Sequence, residues 1–291
     1  MGTNSPWEAT REPLGRRDGE AVGAKLLARV ADAAPYFALE DCVFDGAELR
    51  ARAATETDPG AELGTASSAE IARHALLAGS GCIALGRPSD GRCYYLVSSI
   101  DGTFFTGSAP FGTPVHYSAI ATAEGPVGGA AQVEARLESE LVARLRITYA
   151  VVEDALFARL FAAQRTATFG DTGSYATYST FTASTHDQHT AGARLVVEPR
   201  ACHGHFHQFP TLPATTLLGQ LVRLTSRLVP TRFRVSALRL RTPALAWAGE
   251  ELDLRVSRAP GPWNFSGNAT AGGRVVAKLD LGVVSGFTSK G

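Results

Sequence analysis

The sequence predicts an α+β protein built in two tandem units, each an antiparallel sheet wrapped around one central helix. Three observations carry this expectation. A helix followed by strands occurs in the first half of the chain and again in the second, weak as a sequence repeat but strong as an order of elements. The segments after the helices alternate apolar and polar residues with a period of two, as at Leu238, Arg239, Leu240 and Arg241. A chain of 291 residues with 45% apolar and 19% charged residues is globular and long enough for two ordinary domains.

Taken in order, residues 1–22 are polar and rich in Pro, Gly and Arg; they read as a loose tail without a signal peptide. The first unit is expected over 23–163. Tyr36 to Gly46 reads as a strand and turn, and Leu49 to Thr57 as a second strand. Ser67 to Gly79 reads as a helix, with Ser67 or Ser68 as its cap and an acid in its first turn. Cys93 to Phe105 follows as a strand, and 115–122 with 133–152 close the sheet, the last run being compatible with some helix. Residues 164–190, rich in Thr, Ser, Gly and Tyr and without apolar period, read as a linker. The second unit is expected over 191–291. Its helix starts at Pro213 and carries Leu217, Leu218, Leu221, Leu224 and Leu228 at helical spacing. Four strands follow, Phe233 to Arg241, Leu252 to Val256, Trp263 to Thr270 and Arg274 to Val284, separated by turns at Gly249 and at Gly272-Gly273.

Several classes are disfavoured. No apolar run is long enough to span a bilayer. Cys42, Cys82, Cys93 and Cys202 lack metal-site spacing and are expected as reduced thiols in a cytoplasmic protein. His203, His205 and His207 alternate, and His186 and His189 could join them, but no acidic or thiol ligand lies nearby, so no metal is expected. Ser174, Ser179 and Ser184 have no nucleophile elbow around them. The net charge of zero hides a segregation: residues 1–190 carry 15 Lys and Arg against 23 Asp and Glu, and residues 191–291 carry 13 against 5, so the halves stand at −8 and +8. Either the halves attract one another, or the second half meets an anionic partner through Arg223, Arg227, Arg232, Arg234, Arg239 and Arg241. Nucleic acid is not indicated, because no aromatic interleaving or binding motif accompanies these arginines.

The most informative stretch is Cys202-His-Gly-His-Phe-His-Gln-Phe-Pro-Thr-Leu-Pro-Ala214, followed by the helix. It delivers an imidazole, His205, to a helix N-terminus with free N–H groups and a partial positive charge, which suits chemistry beside a carbonyl. Gly204-His205-Phe206 and the spacing of Pro210 and Pro213 resemble the active-site segment of the 3-hydroxyacyl-carrier-protein dehydratases, which have the hotdog fold. Ala214 stands where that family has Gly, and Gly219 where it has an acid. The resemblance implies a tandem double hotdog that dehydrates a 3-hydroxyacyl thioester to a 2-enoyl thioester in fatty acid or polyketide assembly.

In the family each site takes its His from one unit and its acid from the neighbour. The first half lacks Gly-His-Phe but places Glu70, with His74 four residues on, in its own helix. The implied site is composite. His205 removes the α-proton, Glu70 assists departure of water, and the N–H of Ala214 polarises the carbonyl. His74, Phe206, His207, Pro213 and Leu217 line the substrate tunnel, and Arg223 with Arg227 dock the carrier. No cofactor is implied beyond the phosphopantetheine that carries the substrate; the partner is an acyl carrier protein or coenzyme A thioester, with a homodimer or a partner hotdog chain possible. Two alternatives stand beside this: a hotdog acyl-thioesterase or polyketide cyclase, and a non-catalytic subunit that only binds acyl carriers.

Overall fold

The computed structural model describes residues 20–105, 110, 112–125, 128–166, 180–206 and 208–285. The first half runs β1 (Glu20–Ala21), α1 (Gly23–Arg29), β2 (Glu40–Phe44), β3 (Glu48–Ala53), α2 (Ser68–Gly86), β4 (Cys93–Phe104), β5 (Val115–Gly125), β6 (Gly128–Leu137), β7 (Glu140–Glu153) and α3 (Asp154–Leu160). The second runs β8 (Ala183–His186), β9 (Thr190–Val196), α4 (Ala214–Thr225), β10 (Phe233–Arg241), β11 (Glu251–Arg258), β12 (Asn264–Ala271) and β13 (Arg274–Ser285).

Among the described residues thirteen strands form one antiparallel sheet, ordered β1-β2-β3-β5-β6-β7-β4-β10-β13-β12-β11-β9-β8. The order is the same in both halves read outward from the centre. The strand after each helix, β4 or β10, lies at the junction, and the last strand of each unit lies beside it. The two strands pair across the junction with Ala237 opposite Thr103 and Arg241 opposite Ser99. The two units therefore share one sheet, and no strand edge is left open at their boundary.

α2 packs on β3, β5, β6 and β7, α4 packs on β9, β11, β12 and β13, and the two helices touch. α2 starts where the sequence places its cap: Ser67 Oγ accepts the N–H of Glu70 at 3.2 Å. It extends to Gly86, seven residues past the expected end, because Ser80–Leu85 remain buried against the sheet. Its inner glycines allow close approach. A Cβ at Gly79 would sit 2.5 Å from the hydroxyl of Tyr149, which donates to the Leu76 carbonyl at 2.8 Å. α4 buries the expected leucine stripe, with Leu217, Leu218, Leu221 and Leu224 all at most 2% exposed. Among the described residues the four cysteines are buried and unbridged, and no helix is long and apolar enough to cross a membrane.

Some expectations are corrected. Residues 20–22 are not loose tail: Glu20 and Ala21 pair with Phe44 and Val43, and Val22 is buried. Residues 133–152 contain no helix but the greater part of a hairpin, β6 and β7, reversed at Glu138 with φ +51. Part of the expected linker is strand, since β8 pairs with β9. Part of the basic half's charge is used between the halves. Arg239 forms an ion pair with Asp101, Arg232 donates to the Glu62 carbonyl at 2.9 Å, and Arg234 donates to the Phe104 carbonyl at 3.2 Å. Three of the six candidate arginines thus hold the basic half to the acidic one.

Candidate active site

Between β9 and α4 the chain makes a compact loop that carries His205. Gly204 has φ +80, and its carbonyl accepts the N–H of Ala33 at 2.8 Å. A Cβ there would lie 2.4 Å from the Ala33 carbonyl oxygen and 2.6 Å from the Tyr36 nitrogen. Only glycine lets this loop press against residues 33–36 of the first half. Phe206 also has positive φ, +55, a strained conformation for an aromatic residue. It is held by burial against Tyr94 and Phe157 and by stacking on the His205 ring at 4.0 Å.

The imidazole of His205 is oriented on two sides. Nδ1 lies 2.9 Å from the Thr211 carbonyl and 3.0 Å from Thr211 Oγ1, and the ring meets the edge of Tyr36 at 4.9 Å. A carbonyl can only accept, so Nδ1 carries the proton and Nε2 keeps its lone pair. Burial pushes the pKa down to about 4, partly opposed by the bond to Thr211. His205 is thus a neutral base at physiological pH.

It lines a cavity of about 830 Å³ between the halves. Leu76 of α2, Leu96 and Val97 of β4, Leu217 of α4, and Leu245 and Trp247 beyond β10 supply its apolar wall. Ala214, the first residue of α4, lies in the same wall. Pro213 is the N-cap, and it offers no capping side chain to the first turn of the helix.

The pseudo-symmetric position at the other end of the β4–β10 pair is closed. Its cavity holds about 30 Å³ and is lined by Ser68, Ile71, Phe104 and Glu62 among others. There Glu62 Oε2 accepts the N–H of Ser68, the first residue of α2, at 2.9 Å. The carboxyl group of the chain itself sits on the helix N-terminus that is uncapped in the other half. Burial raises the Glu62 pKa to about 7, against the lowering effect of the Ser68 N–H.

This gives a signed expectation. The folded state keeps the Glu62 proton between the usual carboxylate value of 4.5 and about 7, where the unfolded chain has lost it. Glu62 therefore stabilises least at high pH, with a swing of roughly 3 kcal/mol across that window. Glu62→Gln removes the titration while keeping an acceptor for Ser68. Its melting temperature relative to wild type is expected to rise between pH 5 and pH 8; a difference that does not change with pH would contradict this.

The structure places the other sequence-derived residues as follows. Phe206, Ala214 and Leu217 line the cavity with His205, whereas Pro213, the N-cap residue of α4, is not among the lining residues. His207 lies outside the described residues. Glu70 and His74 are not among the cavity's lining residues. Glu70 Oε1 accepts the backbone N–H of Glu56, and His74 Nδ1 lies 3.3 Å from Tyr117 Oη, so both face the sheet of their own half. Leu76, six residues on from Glu70 in α2, is the residue of this helix that lines the cavity, while Arg73 turns to residues 35 and 36 of its own half. Arg73 donates from Nε and Nη2 to the Tyr36 carbonyl at 3.0 and 2.6 Å, and from Nη2 to the Pro35 carbonyl at 3.0 Å. Arg223 and Arg227 sit at the far end of α4 from Ala214, about 14 Å or more along the axis. Arg223 stacks on Phe181 at 4.8 Å, and Arg227 follows the helix's last residue, Thr225, so the two do not share a helical face at the cavity. The arginines at the cavity are Arg241 and Arg274.

One residue escaped sequence reasoning. Asp32 is buried beside the His205 loop, where it takes the backbone N–H of Phe206. Burial raises its pKa to about 7 against that bond and the nearby Arg73, and its Oδ1 has no partner. No motif spacing connects residue 32 with residue 206, and only the fold brings them together.

No family model matches this sequence, and no curated protein matches it. Solved structures do. An acyl-ACP thioesterase from Bacteroides thetaiotaomicron aligns over 81% of this chain and 98% of its own, with TM-score 0.56 and 9% identity. An acyl-CoA thioesterase II from Mycobacterium marinum aligns over 88% and 97%, with TM-score 0.53 and 11% identity. A hot dog fold protein of unknown function from Alicyclobacillus acidocaldarius aligns over 84% and 96%, with TM-score 0.52 and 12% identity. At these identities the likeness is one of fold, and together with the doubled strand order it identifies this chain as a tandem double hotdog.

Proposed function

We propose that this protein hydrolyses acyl thioesters in the cavity around His205. The observation that carries this reading is a neutral, oriented imidazole and an uncapped helix N-terminus in the wall of one largely apolar cavity. The acyl chain lies against Leu76, Leu217 and Trp247, and the cavity falls in the roughly 300–1,000 Å³ range of small-molecule sites. Nε2 of His205 takes a proton from water as its oxygen bonds to the thioester carbon. First-turn N–H groups of α4 stabilise the oxyanion. Collapse of the tetrahedral intermediate breaks the C–S bond, and the leaving thiolate takes the proton from the imidazolium, giving carboxylic acid and thiol.

Dehydration, the reading favoured by the Gly204-His205-Phe206 and two-proline spacing, needs a second group to protonate a leaving hydroxyl. Glu250 is the sole carboxyl among the described residues lining the cavity. Arg274 holds one of its oxygens at 2.7 Å and the Trp247 N–H the other at 2.8 Å. Hydrolysis requires no such acid. The thioesterase descriptions of the Bacteroides and Mycobacterium structures agree with that choice.

Release of free thiol from a panel of acyl-coenzyme A thioesters, read with a thiol reagent, tests the proposal. Stoichiometric thiol and acid are expected, and thioesters recovered intact would overturn it. Arg241, exposed at the cavity, is the group available to a phosphate on the thiol arm. Arg241→Glu is expected to raise KM for coenzyme A thioesters about ten-fold and to leave an uncharged N-acetylcysteamine thioester within about two-fold. Equal effects on both would remove Arg241 from recognition.

A further inference from the structure

A second polar cluster lies in the first half, away from the cavity. Glu70 and His74 stand one turn apart on α2, and Glu56 follows β3. A ligand atom of each, one carboxylate oxygen apiece and an imidazole nitrogen, lies within 4.8 Å of the others. His74 is 1% exposed and Glu70 2%, while Glu56 opens the cluster to solvent. The hydrogen bonds leave this set incomplete in a particular way. Glu70 Oε1 is engaged by backbone N–H groups of Glu56 and Thr57, but Glu70 Oε2 has no partner. His74 Nδ1 faces the Tyr117 hydroxyl at 3.3 Å, but Nε2 has no partner. Arg73 Nη1 donates to Glu56 Oε2 at 2.7 Å.

Buried polar atoms without partners are uncommon, and here two lie in one cluster of acceptors. No hydrogen bond joins Glu70 Oε2 to His74 Nε2, whereas a cation between them serves both, with Glu56 as a third ligand. One of the two carboxylates already pairs with Arg73 and the other offers its negative charge to a cation, and the hydroxyl on Nδ1 is the kind of contact that orients a ligating imidazole. We propose that Glu56, Glu70 and His74 form a binding site for a first-row divalent transition ion such as zinc or manganese. The imidazole favours these over magnesium or calcium, which take oxygen ligands. Bound there, the ion ties the segment after β3 to α2. It does so next to Arg73, whose guanidinium holds the carbonyls of Pro35 and Tyr36 beside the His205 loop. The site does not depend on the hydrolytic reading of the His205 cavity.

The test is equilibrium dialysis of tag-free, chelator-stripped protein against zinc, manganese, magnesium and calcium, with bound metal measured by elemental mass spectrometry. Thermal melts are taken in parallel. About one zinc or manganese per chain is expected, with a melting temperature that rises on its addition. Glu70→Gln and Glu56→Gln are each expected to weaken binding at least ten-fold and to abolish the metal-dependent rise. Glu56 is exposed and Gln keeps an acceptor for Arg73 Nη1, and circular dichroism of this variant checks that the fold is kept. His189→Asn, on an exposed turn, controls for adventitious surface zinc and is expected to change nothing. The proposal is overturned by absence of stoichiometric binding, by binding that survives both Gln variants, or by a preference for magnesium or calcium.

Discussion

His205→Ala is expected to lower kcat for thioester cleavage by about 10² to 10⁴, the range for loss of a positioned general base. The fold should survive. The imidazole makes one polar contact pair, to Thr211, and its loss leaves a buried carbonyl unpaired at a cost of about 1–3 kcal/mol. Circular dichroism should be unchanged, and exogenous imidazole should restore part of the rate. The pH profile of the wild type carries a sharper mark. Because burial holds His205 down to about 4, the base form is complete well below neutrality. The limb of kcat/KM that reports this base should rise near pH 4 and stay level to pH 7, instead of bending near the ordinary histidine value of 6.5. Turnover by His205→Ala within a few-fold of wild type would assign the base elsewhere.

Gly204→Ala should be the most damaging single methyl group in the chain. The residue has φ +80, which costs an L-residue about 1–2 kcal/mol, and the new Cβ would overlap the Ala33 carbonyl and the Tyr36 nitrogen. Both obstacles are backbone of the first half, so no flexible side chain can yield. The expected loss of stability is about 3–5 kcal/mol, read as a lower denaturation midpoint. Activity should fall further than stability explains, because the loop that carries His205 must move away from residues 33–36, and a displacement of about 1 Å at a reacting group costs on the order of 10² in rate. A variant within about 1 kcal/mol of wild type and fully active would show that the contact between the loop and residues 33–36 does not position the base.

The doubled architecture was legible because local signals and global plan agree. Ser67 caps α2 where the sequence places a cap, and the leucine spacing after Pro213 produces the buried stripe of α4. What was missed has local causes. The turn at Glu138 carries no glycine or proline, so β6 and β7 read as one run. β8 is a short, fully exposed edge strand within a polar segment, and no apolar alternation marks it. At the site, the segment from Gly204 to Leu217 could be read from spacing, because the residues that line the cavity there are near one another in the chain. The contribution of the first half could not. Position in its helix singles out Glu70, but Leu76 is the α2 residue that lines the cavity. The groups that reach the His205 loop, Asp32 and Tyr36, come from a segment between α1 and β2 that has no recognisable motif.

Addition of water to a thioester carbonyl in the His205 cavity is tested by a 3-hydroxyacyl thioester incubated with the protein and followed by mass spectrometry. This substrate offers both reactions at once. Free 3-hydroxy acid and free thiol are expected, with neither formed by His205→Ala. Accumulation of the 2-enoyl thioester, lighter by one water and still esterified, would contradict it and return the site to dehydration.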